Sequence, residues 1–257
     1  MTTLSKIRVG ELDVYQSMLS DPPNISINQV VVVCHGLTDK PTTARQTGIT
    51  MSEGNATTTV VLAPHFVTHG WAEVKAATLN GLNAVFDHAT SQYPGAKLVL
   101  AGFSAGGQLV QRYCMAGEYA SKLDRIIFGA PSTYAYFTDF RPFPPGPSCS
   151  GFNSWKYGFD GVEDATETSM TQVSANLEHY LQTPVHMMVG SLDNNPDFKA
   201  LDKSCAAEAQ GDSHMSRMSA YFDYVKNQGA TAHTYEVVPD VGHSLPGVLG
   251  TYSLPTI

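Results

Sequence analysis

A single α/β domain with a mostly parallel sheet is the fold class that the sequence predicts, and three observations predict it. Short apolar runs recur along the chain, segments of helical spacing separate most of them, and 257 residues with a 42% apolar share suit one substantial core. Strands that are apolar on both faces belong to a parallel sheet covered by helices on both sides. The same figures exclude disordered and collagen-like classes. The domain is expected to span residues 1–257.

In chain order, 6–9 (KIRV) and 12–15 (LDVY) read as an antiparallel edge hairpin. The first buried strand is 30–34 (VVVVC), followed by 59–63 (TVVLA). Residues 71–93 have the spacing of an amphipathic helix, 97–101 (KLVLA) is the next strand, and 105–117 the next helix. Strand 125–128 (RIIF) is followed by 54 residues, 131–184, before strand 185–189 (VHMMV). Most connections in compact domains are far shorter. That segment opens with Pro142, Pro144, Pro145 and Pro147, reads as helical only over about 163–181, and holds 10 of the 25 aromatic residues. It is expected to be an inserted cap or lid over the strand ends, with an insertion packed on the sheet edge as the alternative. Helix 214–228 and strand 232–238 (AHTYEVV) complete the pattern.

Fifteen basic against 23 acidic residues give a net charge of −8. A broad phosphate-binding face is therefore not expected, so no nucleic acid partner is predicted, nor adhesion to anionic membranes. No apolar run reaches the roughly 18 residues of a membrane span. The amino terminus lacks a basic stretch followed by an apolar one. A cytoplasmic location is the default expectation, with export if a leader has been removed. Asn24-Ile-Ser and Asn55-Ala-Thr match the glycosylation tripeptide, which chance alone often supplies.

The sharpest local motif is Gly102-Phe103-Ser104-Ala105-Gly106, a G-x-S-x-G match between a buried strand and a helix. The glycines fit a strained strand-to-helix turn where larger side chains would collide. A serine there needs a base, and the base an orienting acid. Of the downstream histidines, His179 and His214 fall in helical segments and His186 and His233 in strands. His243, in VPDVGHS, lies in a loop just past a strand's carboxyl end, where a parallel sheet gathers functional groups. Asp193 occupies the corresponding loop after 185–189; Asp197 is its competitor, and Asp240 is too near His243 in sequence. An oxyanion needs backbone donors: the amide of Ala105, and that of Leu37 in the Cys34-His35-Gly36-Leu37 turn.

VVVVCHGL, GFSAG, GSLD and VGHS, taken together, resemble the α/β-hydrolase superfamily over about residues 30–244. The resemblance implies an eight-stranded sheet, a triad of Ser104, Asp193 and His243, no cofactor and a small-molecule carboxylic ester, thioester or lactone as substrate. Related dehalogenases and epoxide hydrolases carry aspartate at the elbow, which Ser104 argues against. The stretch from Cys149 to Gly158, with Asp202–Ala207, is similar to a group of microbial hydrolases with an aromatic cap. Acyl transfer on the same triad and a non-catalytic binding protein on this scaffold are the competing readings.

The aromatic insertion supplies the candidate substrate contacts: Tyr134, Tyr136, Phe137 and Trp155. Chain position favours the pocket for the first three and anchoring of the cap for Trp155. His65 and His69 read as loop histidines and no metal is expected. Cys34 and Cys114 fall in core positions. Cys149 and Cys205 lie in irregular segments, where a disulfide or two free thiols fits.

Overall fold

The computed structural model describes residues 4–17, 26–67 and 71–256. Asn24 and His69 lie outside the described residues. Eight strands form one sheet: β1 (Leu4–Val9), β2 (Leu12–Ser17), β3 (Gln29–Cys34), β4 (Thr59–His65), β5 (Lys97–Phe103), β6 (Arg125–Gly129), β7 (Val185–Gly190) and β8 (His233–Val238). Their order is β1-β2-β4-β3-β5-β6-β7-β8. β2 runs antiparallel to both neighbours, and from β4 to β8 every pairing is parallel. β3 is buried along its whole length, as its unbroken valine run requires.

The helices are α1 (Pro41–Met51), α2 (Ala76–Gln92), α3 (Ala105–Ala116), α4 (Val162–Thr166), α5 (Met170–Gln182), α6 (Cys205–Glu208), α7 (His214–Asn227) and α8 (Leu245–Leu249). α1 packs with α8, and α3 with α5. The helix expected over 71–93 is interrupted: a 3-10 turn at Trp71–Glu73 ends at Val74, whose φ is 52°, and α2 starts only at Ala76. α1 is unannounced in the sequence, since its threonines and Gly48 are indifferent helix formers. It forms because Gly48 lets it settle on the sheet; a Cβ there would lie 2.6 Å from Val61 and 2.8 Å from Val33.

The expectation for 131–184 needs correction in its second half. α5 lies against α3, with Asn176 donating to the carbonyls of Met115 and Gly117 and Tyr180 in the core. It is the crossover helix between β6 and β7, and no part of a lid. The first half is held by buried arginines that spend their donors on carbonyls. Arg112 of α3 reaches the carbonyls of Lys156 and Thr133, and Arg141 those of Thr138, Phe140, Phe152 and Tyr157. A disulfide joins Cys149 to Cys205, while Cys34 and Cys114 are free and buried.

Candidate active site

Ser104 sits between β5 and α3 with φ 56° and ψ −118°, a strained conformation held from both sides. Its amide donates to the Gly129 carbonyl at 2.8 Å. A Cβ at Gly102 would meet the Gly106 carbonyl, and one at Gly106 would meet the carbonyls of Cys34 and His35. Only glycine at both positions lets the elbow close on the β3 loop.

The loops after β7 and β8 bring two more groups to the same rim. Ser191 N donates to the Val238 carbonyl and Leu192 N to that of Val241, and Gly190 leaves room for this approach. His243 Nδ1 then lies 2.6 Å from Asp193 Oδ2, and its Nε2 lies 2.9 Å from Ser104 Oγ. Asp193 is ionised, so Nδ1 carries the proton and donates it, leaving the Nε2 lone pair to accept from the serine hydroxyl. Ser104, Asp193 and His243, chosen from sequence, are thus brought into one hydrogen-bonded chain. Asp197 and Asp240 lie on exposed turns.

A fourth member is His214. Its Nδ1 is 2.9 Å from Asp193 Oδ1, and its ring stacks on His243 at 4.2 Å between centroids. Burial alone would raise the Asp193 carboxyl, but hydrogen bonds from His214 and His243 outweigh it and hold the pKa at about 2. For His214 burial is the larger influence and keeps its pKa below the ordinary histidine value. The sequence places His214 in a helical segment, away from the strand-end loops. The signal was available in periodicity: the buried stripe Arg217, Met218, Tyr221, Tyr224 of α7 extends back to position 214. Donor atoms of Asp193, His214 and His243 lie within 4.8 Å of one another, a set of the type that binds zinc. A metal there would have to displace both Nδ1 protons.

Leu37 lies in the turn after β3, against the elbow: a Cβ on Gly36 would stand 3.4 Å from Ser104 Cβ. His35 Nε2 accepts from the Phe66 amide at 3.1 Å, so its Nδ1–H donates to the Gly36 carbonyl at 2.6 Å. Fixing that carbonyl fixes the opposed N–H of Leu37, since the peptide is planar and trans. The Ala105 amide is the first of the unpaired donors at the amino terminus of α3.

The aromatic candidates fall elsewhere. Tyr134 and Tyr136 are fully buried, stacked or edge-on against Tyr221 of α7, so neither presents a surface to a substrate. The physical reason is the path of the chain after β6. Gln210 pairs with both backbone groups of Tyr134, and Gln111 with those of Ala135, drawing the strand exit down onto α3 and α7. Phe137 is half-buried between Tyr224 and Phe159. Trp155 donates Nε1–H to the Val74 carbonyl at 2.9 Å and packs on Phe159, which pins the insertion to the turn before α2. Beside the site the exposed apolar groups are instead Leu37 and Leu192, more than half exposed and following β3 and β7, with Phe198 against His243.

No family model matches this chain, and no curated protein matches it. Solved structures do. Poly(aspartic acid) hydrolase-1 from Sphingomonas sp. KT-1 aligns over 96% of this chain and 94% of its own, with TM-score 0.70 and 19% identity. LpqC, a poly(3-hydroxybutyrate) depolymerase from Bordetella parapertussis, aligns over 95% and 86%, with TM-score 0.67 and 19% identity. Esterase 2 from Thermogutta terrifontis, in a form phosphonylated by sarin, aligns over 95% and 86%, with TM-score 0.56 and 15% identity. With its strand order, its elbow and this likeness, the chain has the α/β-hydrolase fold.

Proposed function

We propose that the protein is a serine hydrolase of carboxylic esters, thioesters or lactones, acting through an acyl-enzyme on Ser104. The observation that carries this is the unbroken chain from Ser104 Oγ through His243 to Asp193, mounted on a strained elbow. His243 Nε2 takes the hydroxyl proton as Oγ bonds to the substrate carbonyl carbon. The amides of Ala105 and Leu37 receive the oxyanion. Collapse breaks the bond to the leaving group, which departs with the proton from His243. Water then attacks the acyl-enzyme by the same route, His243 taking its proton and returning one to Ser104. Asp193 keeps the imidazole in the required tautomer. The exposed Leu37 and Leu192 beside the triad support an apolar acyl or alcohol group. The structural neighbours, an esterase and two polymer hydrolases, support bond hydrolysis as the reaction class.

The test is labelling and turnover together. A fluorophosphonate should modify Ser104, and Ser104→Ala should lose at least about three orders of magnitude in kcat/KM on p-nitrophenyl esters. Labelling that survives in Ser104→Ala sinks the assignment. A chain-length series of the same esters, run with aromatic esters and lactones, reads the preferred group. Adding an alcohol or amine acceptor separates hydrolysis from acyl transfer.

A further inference from the structure

The proton path above uses one histidine, yet Asp193 holds two. His214 is 1% exposed, it aims Nδ1 at the carboxylate, and the relay from Ser104 does not require it. We propose that His214 is a positioning residue: a neutral imidazole that donates Nδ1–H to Asp193 Oδ1 and so turns Oδ2 toward His243. This rests on the reading of Ser104, Asp193 and His243 given above.

Three observations support it. The terminal torsion of an aspartate is broad, so one hydrogen bond from His243 leaves the carboxylate free to swing; a second, on the other oxygen, fixes its plane. The start of α7 grips the same residue twice, since Met215 N also donates to the Asp193 backbone carbonyl at 3.1 Å. Finally, the His214 ring stacks on His243 with 25° between planes, and Phe198 closes against both rings at 5.3 and 4.9 Å. One imidazole therefore sets both the acid's orientation and the face of the base.

The arrangement works only while His214 is uncharged, because an imidazolium there would oppose the one that forms on His243 during reaction. The charged and titratable groups that face it are Asp193, His243 and Arg217. Burial, His243 and Arg217 all disfavour its cation, and Asp193 alone favours it. With the ring neutral, the positive end of its N–H dipole still points at the site. Removing it leaves the Asp193 charge less neutralised opposite the imidazolium that forms on His243 during reaction.

The experiment compares His214→Phe, which keeps a ring but no donor, with His214→Asn, whose amide nitrogen can stand near the Nδ1 position. In His214→Phe, kcat should fall roughly ten-fold with KM within about two-fold, as expected for a lost hydrogen bond to a charged group. The acid limb of the kcat/KM profile should move up by about half a unit. His214→Asn should recover most of the rate and return the limb. A rate loss that tracks Tm in both variants with the limb unmoved overturns the proposal and leaves a packing role. A readout independent of turnover is histidine NMR of the wild type at about pH 7, where His214 should be the Nδ1–H tautomer with a downfield N–H proton. Finding the Nε2–H tautomer overturns the proposal whatever the substrate. Failure of the wild type to hydrolyse esters counts against the Ser104 reading instead and leaves the tautomer result standing.

Discussion

At the scale of single residues the site turns on Asp193, a 3% exposed carboxylate whose two oxygens each accept an imidazole N–H. Asp193→Asn keeps the shape and removes one acceptor, so an amide NH2 must face one of the two Nδ1–H donors. Where the NH2 faces His243, the conflict is relieved by tautomer reversal, which protonates His243 Nε2 and removes the base. The expected loss in kcat is on the order of 10³- to 10⁴-fold, measured on any ester the wild type accepts. Asp197→Asn should be within error of wild type, because that side chain is exposed on a turn; a crippled Asp197→Asn would reassign the acid. That Ser104, Asp193 and His243 meet was legible in the sequence because a parallel sheet delivers functional groups to loops at one edge, and each of the three follows a strand. His214 reaches the site from a helix start. Only the spacing of the α7 stripe hinted that it points inward. The backbone donors have no sequence signature, and the Leu37 assignment depends on how His35 holds the Gly36 carbonyl.

Among elements, strands were the easiest to read and the insertion the hardest. β3 to β7 match their apolar runs within two residues at each end, because burial on both faces leaves little choice of side chain. α1 carries little sequence signal because its stability comes from contact with Val33 and Val61 and little from propensity. Chain position just past strand 125–128 points Tyr134, Tyr136 and Phe137 to the pocket and leaves Trp155 as an anchor of the insertion. The structure spends Tyr134 and Tyr136 on the core against α7, and Trp155 on a tether to Val74. What ties the insertion to the other side is the Cys149–Cys205 disulfide, which links its proline-rich part to the start of α6. It spans 56 residues, and closing a loop of that size in the unfolded chain is worth about 4 kcal/mol on the chain-entropy account. Cys149→Ser or Cys205→Ser should therefore lower Tm by roughly 10 °C, and a reductant should do the same to the wild type. An unchanged Tm on full reduction, checked by thiol titration, would show that the insertion is held by its arginine and Trp155 contacts alone.

Over the whole molecule, stability should depend on pH through histidines that folding keeps neutral. Burial lowers the pKa of His35, His214 and His233, the last to about 4, with its Nε2–H donated to the Tyr180 carbonyl at 2.9 Å. In the unfolded chain each titrates near the ordinary value of about 6.5. Between that pH and the folded value, the unfolded state binds more protons, so stability falls as pH drops through the window. For His233 alone the window from about 6.5 to about 4 corresponds to roughly 3 kcal/mol. Asp193 continues the trend at lower pH, because its depressed pKa adds stability that is lost between about 3.8 and about 2. His233 provides the clean test, since it lies on β8 and meets Tyr180 of α5 edge-on, away from the triad. His233→Gln retains an amide donor for the Tyr180 carbonyl and removes the titrating group. Wild-type Tm should fall by roughly 10 °C between about pH 6.5 and pH 4, and His233→Gln should fall by visibly less, with the two curves meeting near neutrality. Parallel curves across that range would mean that His233 takes up its proton in the folded protein, with the β8–α5 contact opening to admit it.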